Sequence, residues 1–286
     1  MNTPKSFGPG HKVAVPGANL GATNSYAFSY GTSNAAALAT RRIAMLHETV
    51  RSMREFQNDG ALDKAPEALI LKALIVHGAE LPGDAVKLCE GVYRNPQNGK
   101  TYKGDQGQYF GYGQVHEQRI HACASNQATL VRTGELEIDH SEIYSFPLPP
   151  CLASQKERRR MVLTLAWFSP INPTHHEYRQ AQMWVSDPKK SSSLDFSKGD
   201  YYHHHQKKGT VYHDVIHGEK ASPYVEGGEI FLKVNCKARA GASKIKIPYA
   251  LVVTLDTTNE KLKIYEEVKQ ALAEKARQYV NNNIDA

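Results

Sequence analysis

The chain has 286 residues, 41% of them hydrophobic, which is enough for one large or two ordinary domains with real cores. The 35 Lys and Arg residues outnumber the 29 Asp and Glu residues, and the formal net charge of +6 is mildly basic for this size. The densest basic run, residues 156–160, is not interleaved with aromatic residues, so we expect a solvated loop and no nucleic-acid partner.

The first predicted element is a strand at residues 13–15, which leads through Pro16-Gly17 to a Gly-Thr-Ser sequence and a helix. Gly31 permits a tight turn there, and Ser33 begins the helix. The free N–H groups and the positive dipole end of a helix start favour a developing negative charge. Serine is equally a preferred helix cap, so a purely structural role for Ser33 stays open.

These residues resemble the nucleophile segment of the subtilisin-like serine proteases, the subtilases, in which a strand, a Pro-Gly turn and Gly-Thr-Ser follow one another. The resemblance implies that Ser33 is the catalytic nucleophile. It also implies that Gly31, Thr32 and Asn34 support the nucleophile turn and the oxyanion region. Ala37 and Arg41 depart from the family pattern, which usually has proline and a small residue at these positions.

The order of catalytic residues in subtilases is Asp, His, Ser, and the first two are not found ahead of Ser33. Residues 1–32 contain no aspartate, and His11 is their only histidine. The resemblance therefore implies the C-terminal portion of a subtilase, whose Asp and His come from a missing segment or a second polypeptide. It implies peptide-bond hydrolysis of a peptide or protein substrate through an acyl-enzyme, without a cofactor. The alternative is a catalytically inactive, truncated subtilase that acts as a protein-binding module.

Two helices are predicted after the motif. Six apolar residues recur at steps of three and four and give the first helix one apolar face: Ala35, Ala39, Ile43, Leu46, Val50 and Met53. The second begins at Pro66, ends at Gly78 and is apolar on nearly all sides, which indicates burial. Residues 92–108 are typical of a surface loop. Residues 110–115, followed by a short helix, resemble the segment that closes the subtilase catalytic domain, so we place a boundary near Ser125.

From Gln127 onward the hydrophobic period changes to two, which indicates an antiparallel β-sandwich. Strands are predicted at residues 161–168, 181–186, 210–216, 229–236 and 247–255. A last strand at 262–268 and a charged helix at 269–279 are also predicted. Trp167 and Trp184 are expected in the core. Large bacterial subtilases carry a similar sandwich after the protease domain.

The predicted fold class is thus the C-terminal part of a subtilisin-like α/β doubly wound domain followed by an all-β sandwich. The predicted divisions are residues 1–125 for the catalytic part, 126–257 for a jelly-roll-like sandwich, and 258–286 for the last strand and helix.

No metal site is predicted from the histidines. His116 and His121 are five residues apart and cannot lie on one helix face, and residues 203–205 lack a carboxylate or cysteine partner nearby. The four scattered cysteines predict free thiols, and no segment is typical of a signal peptide or a membrane span. We therefore expect a cytoplasmic protein without a membrane partner.

Overall fold

The structure is a computed structural model that describes residues 10–17, 19, 21–56, 60, 62–92, 107, 109–116, 119, 124–153, 158–187, 209–218, 227–241 and 245–284. These residues form helices and several antiparallel sheets. The helices are α1 (Thr32–Phe56), α2 (Glu67–His77), α3 (Gly83–Val92) and α4 (Ile264–Ile284), with a 3-10 turn at Pro150–Leu152. The strands are β1 (His11–Ala14), β2 (Tyr26–Ser29), β3 (Ala79–Glu80), β4 (Gln114–Val115), β5 (Gln127–Glu137), β6 (Ser141–Pro147), β7 (Arg159–Trp167), β8 (Ala181–Ser186), β9 (Val211–Gly218), β10 (Glu229–Ala238) and β11 (Lys246–Thr257).

The chain divides into two compact units, Met1–Thr49 and Val50–Ala286. The first unit contains a β-hairpin in which His11 pairs with Ser29 and Ala14 with Tyr26. It also contains most of α1, whose extent confirms the helix predicted from the apolar steps after Ser33.

Two antiparallel sheets form the framework of the second unit. The four-stranded sheet has the order β5-β11-β7-β9, and the three-stranded sheet has the order β6-β10-β8. Successive strands from β5 to β11 therefore alternate between the two sheets. The five strands predicted between residues 161 and 255 are confirmed as β7 to β11.

One hydrophobic core lies between the two sheets. Every second residue of β7, from Met161 to Trp167, points into it, as do alternate residues of β10 and β11. Trp167 is fully buried, which confirms its predicted packing role, and Trp184 packs against the same core while partly exposed. Burial of this kind is the main favourable contribution to folding.

The predicted last strand at residues 262–268 is wrong, because α4 already begins at Ile264. Ile264 and Val268 are buried in the core between the sheets, and Leu272 packs against it. A spacing of four residues places all three on one helix face. Glu266 and Glu267 in the first turn also suit the positive end of the helix dipole.

The outer face of the four-stranded sheet is covered by α2, which contacts β7, β9 and β11. The helix extends from Glu67 to His77, and Gly78 follows it, as predicted. Its buried side chains include Leu69, Ile70 and Leu74, so the predicted burial is confirmed. The surface that buries them belongs to an antiparallel sheet.

The predicted domain boundary near Ser125 falls inside the second compact unit, and an independent domain at residues 126–257 stays a prediction. The loop predicted at 92–108 and the short helix after residue 115 lie largely outside the described residues. No helix in the described part of the chain is both long and apolar enough to cross a membrane.

Candidate functional site

Ser33 lies at a strand-turn-helix junction. β2 ends at Ser29, and α1 begins at Thr32. Between them Gly31 has a φ of +146°, a conformation that glycine adopts readily and other residues rarely adopt. The sequence therefore has glycine where the backbone requires it.

The start of α1 leaves its first backbone N–H groups outside the hydrogen-bond ladder of the helix. The N–H of Ala35 donates to the carbonyl oxygen of Gly31 over 3.2 Å, which is the first bond of the helix. The N–H groups of Thr32, Ser33 and Asn34 therefore precede the intrahelical ladder and point out of the helix end. The side chains of Thr32 and Ser33 are exposed.

The Asn34 side chain stabilises this junction. Its Nδ2 donates to Ser29 Oγ over 3.0 Å and links the first helical turn to the end of β2. The structure thus brings the predicted group Gly31, Thr32, Ser33 and Asn34 together at one helix start.

A general base for Ser33 is not part of this group. Within the part of the chain that the structure describes, no imidazole or carboxylate makes a hydrogen bond with Ser33. The preceding histidine of the described chain, His11, pairs with Ser29 in the hairpin. Ser33 is therefore an accessible hydroxyl without an activating partner among the described residues.

A second polar cluster, which the sequence analysis did not find, lies between α2 and the four-stranded sheet, with four buried side chains and an exposed threonine, Thr129, at its end. We call it the His–Thr network. His77 Nδ1 is 2.9 Å from Thr164 Oγ1, and His77 Nε2 is 2.7 Å from Thr254 Oγ1. Thr164 Oγ1 is also 2.8 Å from His213 Nδ1, and Thr254 Oγ1 is 2.7 Å from Thr129 Oγ1. The five side chains form one continuous chain of hydrogen bonds.

Burial dominates the electrostatics of the His–Thr network. It is the largest cause that holds the pKa of His77 well below its usual value, followed by repulsion from His213 when that imidazole is protonated and from the Arg160 guanidinium. Arg160 in turn binds Asp256 through Nε and Nη2, at distances between 2.5 and 3.1 Å. His77 is consequently neutral near pH 7 and acts as a hydrogen-bonding residue.

Tyr112 closes the network on the side of β9. Its ring meets that of His213 edge-on with 5.3 Å between centroids, and its hydroxyl donates to the carbonyl oxygen of Val211 over 2.9 Å. Burial raises the pKa of Tyr112 to about 12, so the phenol keeps its proton and remains a donor.

A third cluster lies beside α4. Tyr249 donates to Glu142 over 2.5 Å and contacts the hydroxyl of Tyr144 at 2.6 Å. A cavity of about 40 Å³ opens next to it, lined mainly by apolar side chains, with Arg132 as its charged member. The cavity has room for one or two small groups.

Among the residues that the structure describes, no cluster of His, Cys, Asp or Glu has the arrangement of a metal site. Residues 203–205 and His121 lie outside the described residues. His175 and Glu177 lie in a turn segment, and the Glu177 carboxylate binds Arg239. Cys151 and Cys236 are free thiols, as predicted for them.

No protein-family model matches the chain, and no curated protein is significantly similar to it. The subtilase resemblance therefore depends on the residues around the Gly-Thr-Ser motif and the segments named with it.

Proposed function

We propose that this chain is the nucleophile-bearing C-terminal portion of a subtilisin-like serine endopeptidase. One observation carries the proposal: Ser33 is an exposed serine in the first turn of a 25-residue helix, directly after a strand and a glycine with φ of +146°. A nucleophilic serine needs this combination of an accessible hydroxyl and free N–H groups beside it.

The proposed reaction is acyl transfer from a peptide to Ser33. The Ser33 oxygen attacks the peptide carbonyl while an imidazole removes its proton, and the same imidazole returns the proton to the leaving amine. The N–H of Ser33 stabilises the oxyanion of the tetrahedral intermediate. Water then hydrolyses the acyl-enzyme. The imidazole and its orienting carboxylate come from a segment outside residues 1–286 or from a second polypeptide.

The proposed architecture gives the two parts different roles. Residues around α1 belong to the C-terminal part of a subtilisin-like α/β domain. The two sheets from β5 to β11 form an appended sandwich of jelly-roll type, which is supported by their shared core and by the alternation of successive strands between sheets. The partners proposed for the chain are a peptide or protein substrate and the polypeptide that supplies Asp and His.

The first test is labelling with a fluorophosphonate, which reacts with activated serines. We expect the chain alone to label very slowly and to hydrolyse peptides weakly or not at all, because Ser33 lacks a base among the described residues. Ser33→Ala is compared with Ser52→Ala, which changes an exposed serine further along the same helix. Rapid labelling that Ser33→Ala abolishes and Ser52→Ala leaves intact would show that a base for Ser33 is already present. The hypothesis of an incomplete triad would then be wrong.

The second arm supplies the missing residues. The chain is mixed with the recombinant N-terminal half of a subtilase that carries Asp and His, and casein cleavage is measured. Cleavage that occurs only in the mixture and is lost in Ser33→Ala supports the endopeptidase.

The alternative function is a non-catalytic protein-binding module. It is favoured by the same absence of a base for Ser33 in the described part of the chain. In this case the two halves bind but the mixture remains inactive, and Ser33→Ala affects only the stability of α1, as loss of a polar residue from a helix start does.

A further inference from the structure

The hydrogen bonds of Thr164 limit how many imidazoles of the His–Thr network can be protonated at once. Thr164 has one hydroxyl proton and lies between nitrogens of His77 and His213, so it donates to one of them and accepts from the other. When both imidazoles are neutral, every hydrogen bond of the chain can form, whether Thr164 donates to His77 or to His213. When both are protonated, both nitrogens donate to Thr164, and the Thr164 proton has no acceptor within the network.

Two charges are also unfavourable here for electrostatic reasons. The ring centroids of His77 and His213 are 6.5 Å apart, and both side chains are buried, so solvent screens their repulsion weakly. The groups that hydrogen bond to His77 among the described residues are the hydroxyls of Thr164 and Thr254, which cannot neutralise a positive charge.

Charged and titratable groups lie on the elements that carry the network or pack against it. They include Lys72 on α2, Glu80 on β3, Tyr112 and Arg119 in the segments beside β4, Arg160 on β7, His217 on β9 and Asp256 on β11, while Asp214 of β9 alternates to the opposite face of the sheet. The carboxylates of Glu80 and Asp256 are engaged by Arg160, and Glu80 also by Arg119. Lys72 Nζ is bound to the carbonyl oxygens of Trp167 and Thr210 and to the Thr210 hydroxyl.

We propose that the His–Thr network makes the attachment of α2 to the four-stranded sheet a pH-sensitive switch: α2 is attached when His77 and His213 are both neutral and separates when both are protonated. His77 belongs to α2, and its partners belong to the sheet. Protonation therefore acts at the contact between the two elements. Separation exposes the apolar face of α2, which includes Leu69 and Ile70.

The direction of the pH dependence follows from linkage. The pKa of His77 is depressed in the attached state, so the separated state binds more protons below about pH 6.5. Attachment is fully present above this pH and weakens as the pH falls. If separation takes up two protons, its equilibrium constant rises about 100-fold for each pH unit below that point, and about 10-fold if it takes up one.

The test is amide hydrogen exchange of the full chain between pH 8 and pH 5, corrected for the intrinsic pH dependence of exchange. The amides of α2 are compared with those of β10, which lies in the other sheet. We expect α2 to lose protection by about two powers of ten per pH unit while β10 remains protected. The loss of α2 protection should fall to about one power of ten per pH unit in His77→Gln and in His213→Gln, and to nearly zero in the double variant. Glutamine keeps a donor and an acceptor but does not titrate. His140→Gln, at an exposed turn, should retain the wild-type slope.

The proposal is overturned if His77→Gln and His213→Gln keep the wild-type slope, or if α2 and β10 lose protection together. Should the variants not fold, histidine side-chain NMR of the wild-type chain decides. His77 and His213 should then titrate together in the same pH range in which α2 loses protection. Titration of either imidazole while α2 remains protected would equally overturn the proposal.

Discussion

At the scale of single residues, two glycines of one short turn have different reasons to be glycine. Gly113 and Gly111 both have positive φ, at +91° and +59°. A Cβ on Gly113 would overlap the carbonyl group of Glu80, where β3 pairs with β4, whereas a Cβ on Gly111 would meet nothing within 4 Å. A side chain at Gly111 would therefore cause backbone strain alone, whereas a side chain at Gly113 would cause backbone strain and steric overlap.

We expect Gly113→Ala to lower the free energy of unfolding by at least about 1 kcal/mol more than Gly111→Ala. The left-handed backbone alone costs an alanine about 1–2 kcal/mol, and this cost applies to both positions. The Gly113 variant must in addition move the β3 backbone away. Urea unfolding of the two variants measures the difference. Equal losses would mean that β3 and β4 do not approach each other this closely.

Residue-scale packing also explains how a tyrosine hydroxyl is accommodated in the core. A Cβ on Gly134 would overlap the Tyr249 ring, so glycine at this position makes room for the phenol on the neighbouring strand. Burial is the largest of the causes that raise the pKa of Tyr249, and the phenol therefore remains a donor to Glu142. A glycine inside a strand usually weakens it, and the register with Tyr249 explains why glycine is needed at this position.

At the scale of elements, α2 offers a matched test of which face is attached. Leu69 is fully buried, and Leu71, two positions further on the same helix, is partly exposed. We expect Leu69→Ala to lower the free energy of unfolding by about 2–5 kcal/mol, the usual range for a buried leucine. Leu71→Ala should cost clearly less, because it removes fewer contacts. Chemical denaturation of both variants gives the comparison, and similar losses would contradict the described orientation of α2.

Strands with one buried face are the easiest to predict, because their apolar residues alternate along the sequence. β8 is the clearest, with buried and partly exposed residues alternating from Ala181 to Ser186. β7 and β11 are buried on both faces, and their sequences are nearly continuous apolar runs that do not indicate what covers each face. The residues from Leu262 to Val268 fit a short β pattern and predict a strand. Packing of Ile264 and Val268 on the core favours the helix instead.

At the scale of the whole molecule, the two candidate sites differ in how far a sequence can indicate them. Gly31, Thr32, Ser33 and Asn34 are consecutive, so one turn and one helix start bring them together. The His–Thr network is built from α2 and four strands that are far apart in the chain, and no local spacing marks it. The sequence offers one indication of this network, which is a histidine, His77, at the end of an apolar helix. A buried histidine requires partners, but their identity depends on the sheet register.

The sequence places a boundary near Ser125, and the described packing provides a direct test of it. The outer face of the four-stranded sheet has buried side chains on β7, β9 and β11, among them Val162, Val215 and Val252. Val162 and Val215 pack against Leu81 and Tyr112, which precede residue 126. A fragment of residues 126–286 loses this cover and that of α2, whereas a fragment of residues 50–286 retains both.

We therefore expect the 126–286 fragment to unfold at a lower urea concentration than the 50–286 fragment and to bind more of a hydrophobic dye. Exposure of a buried valine costs about 1.5–3 kcal/mol, so a few such side chains remove a large part of the 5–15 kcal/mol that stabilises an ordinary domain. Equal unfolding midpoints and equal dye binding for the two fragments would show that the two sheets fold independently and that the boundary lies near Ser125. A lower midpoint for 126–286 would instead make α2 and the β3–β4 segment integral parts of the β-rich unit.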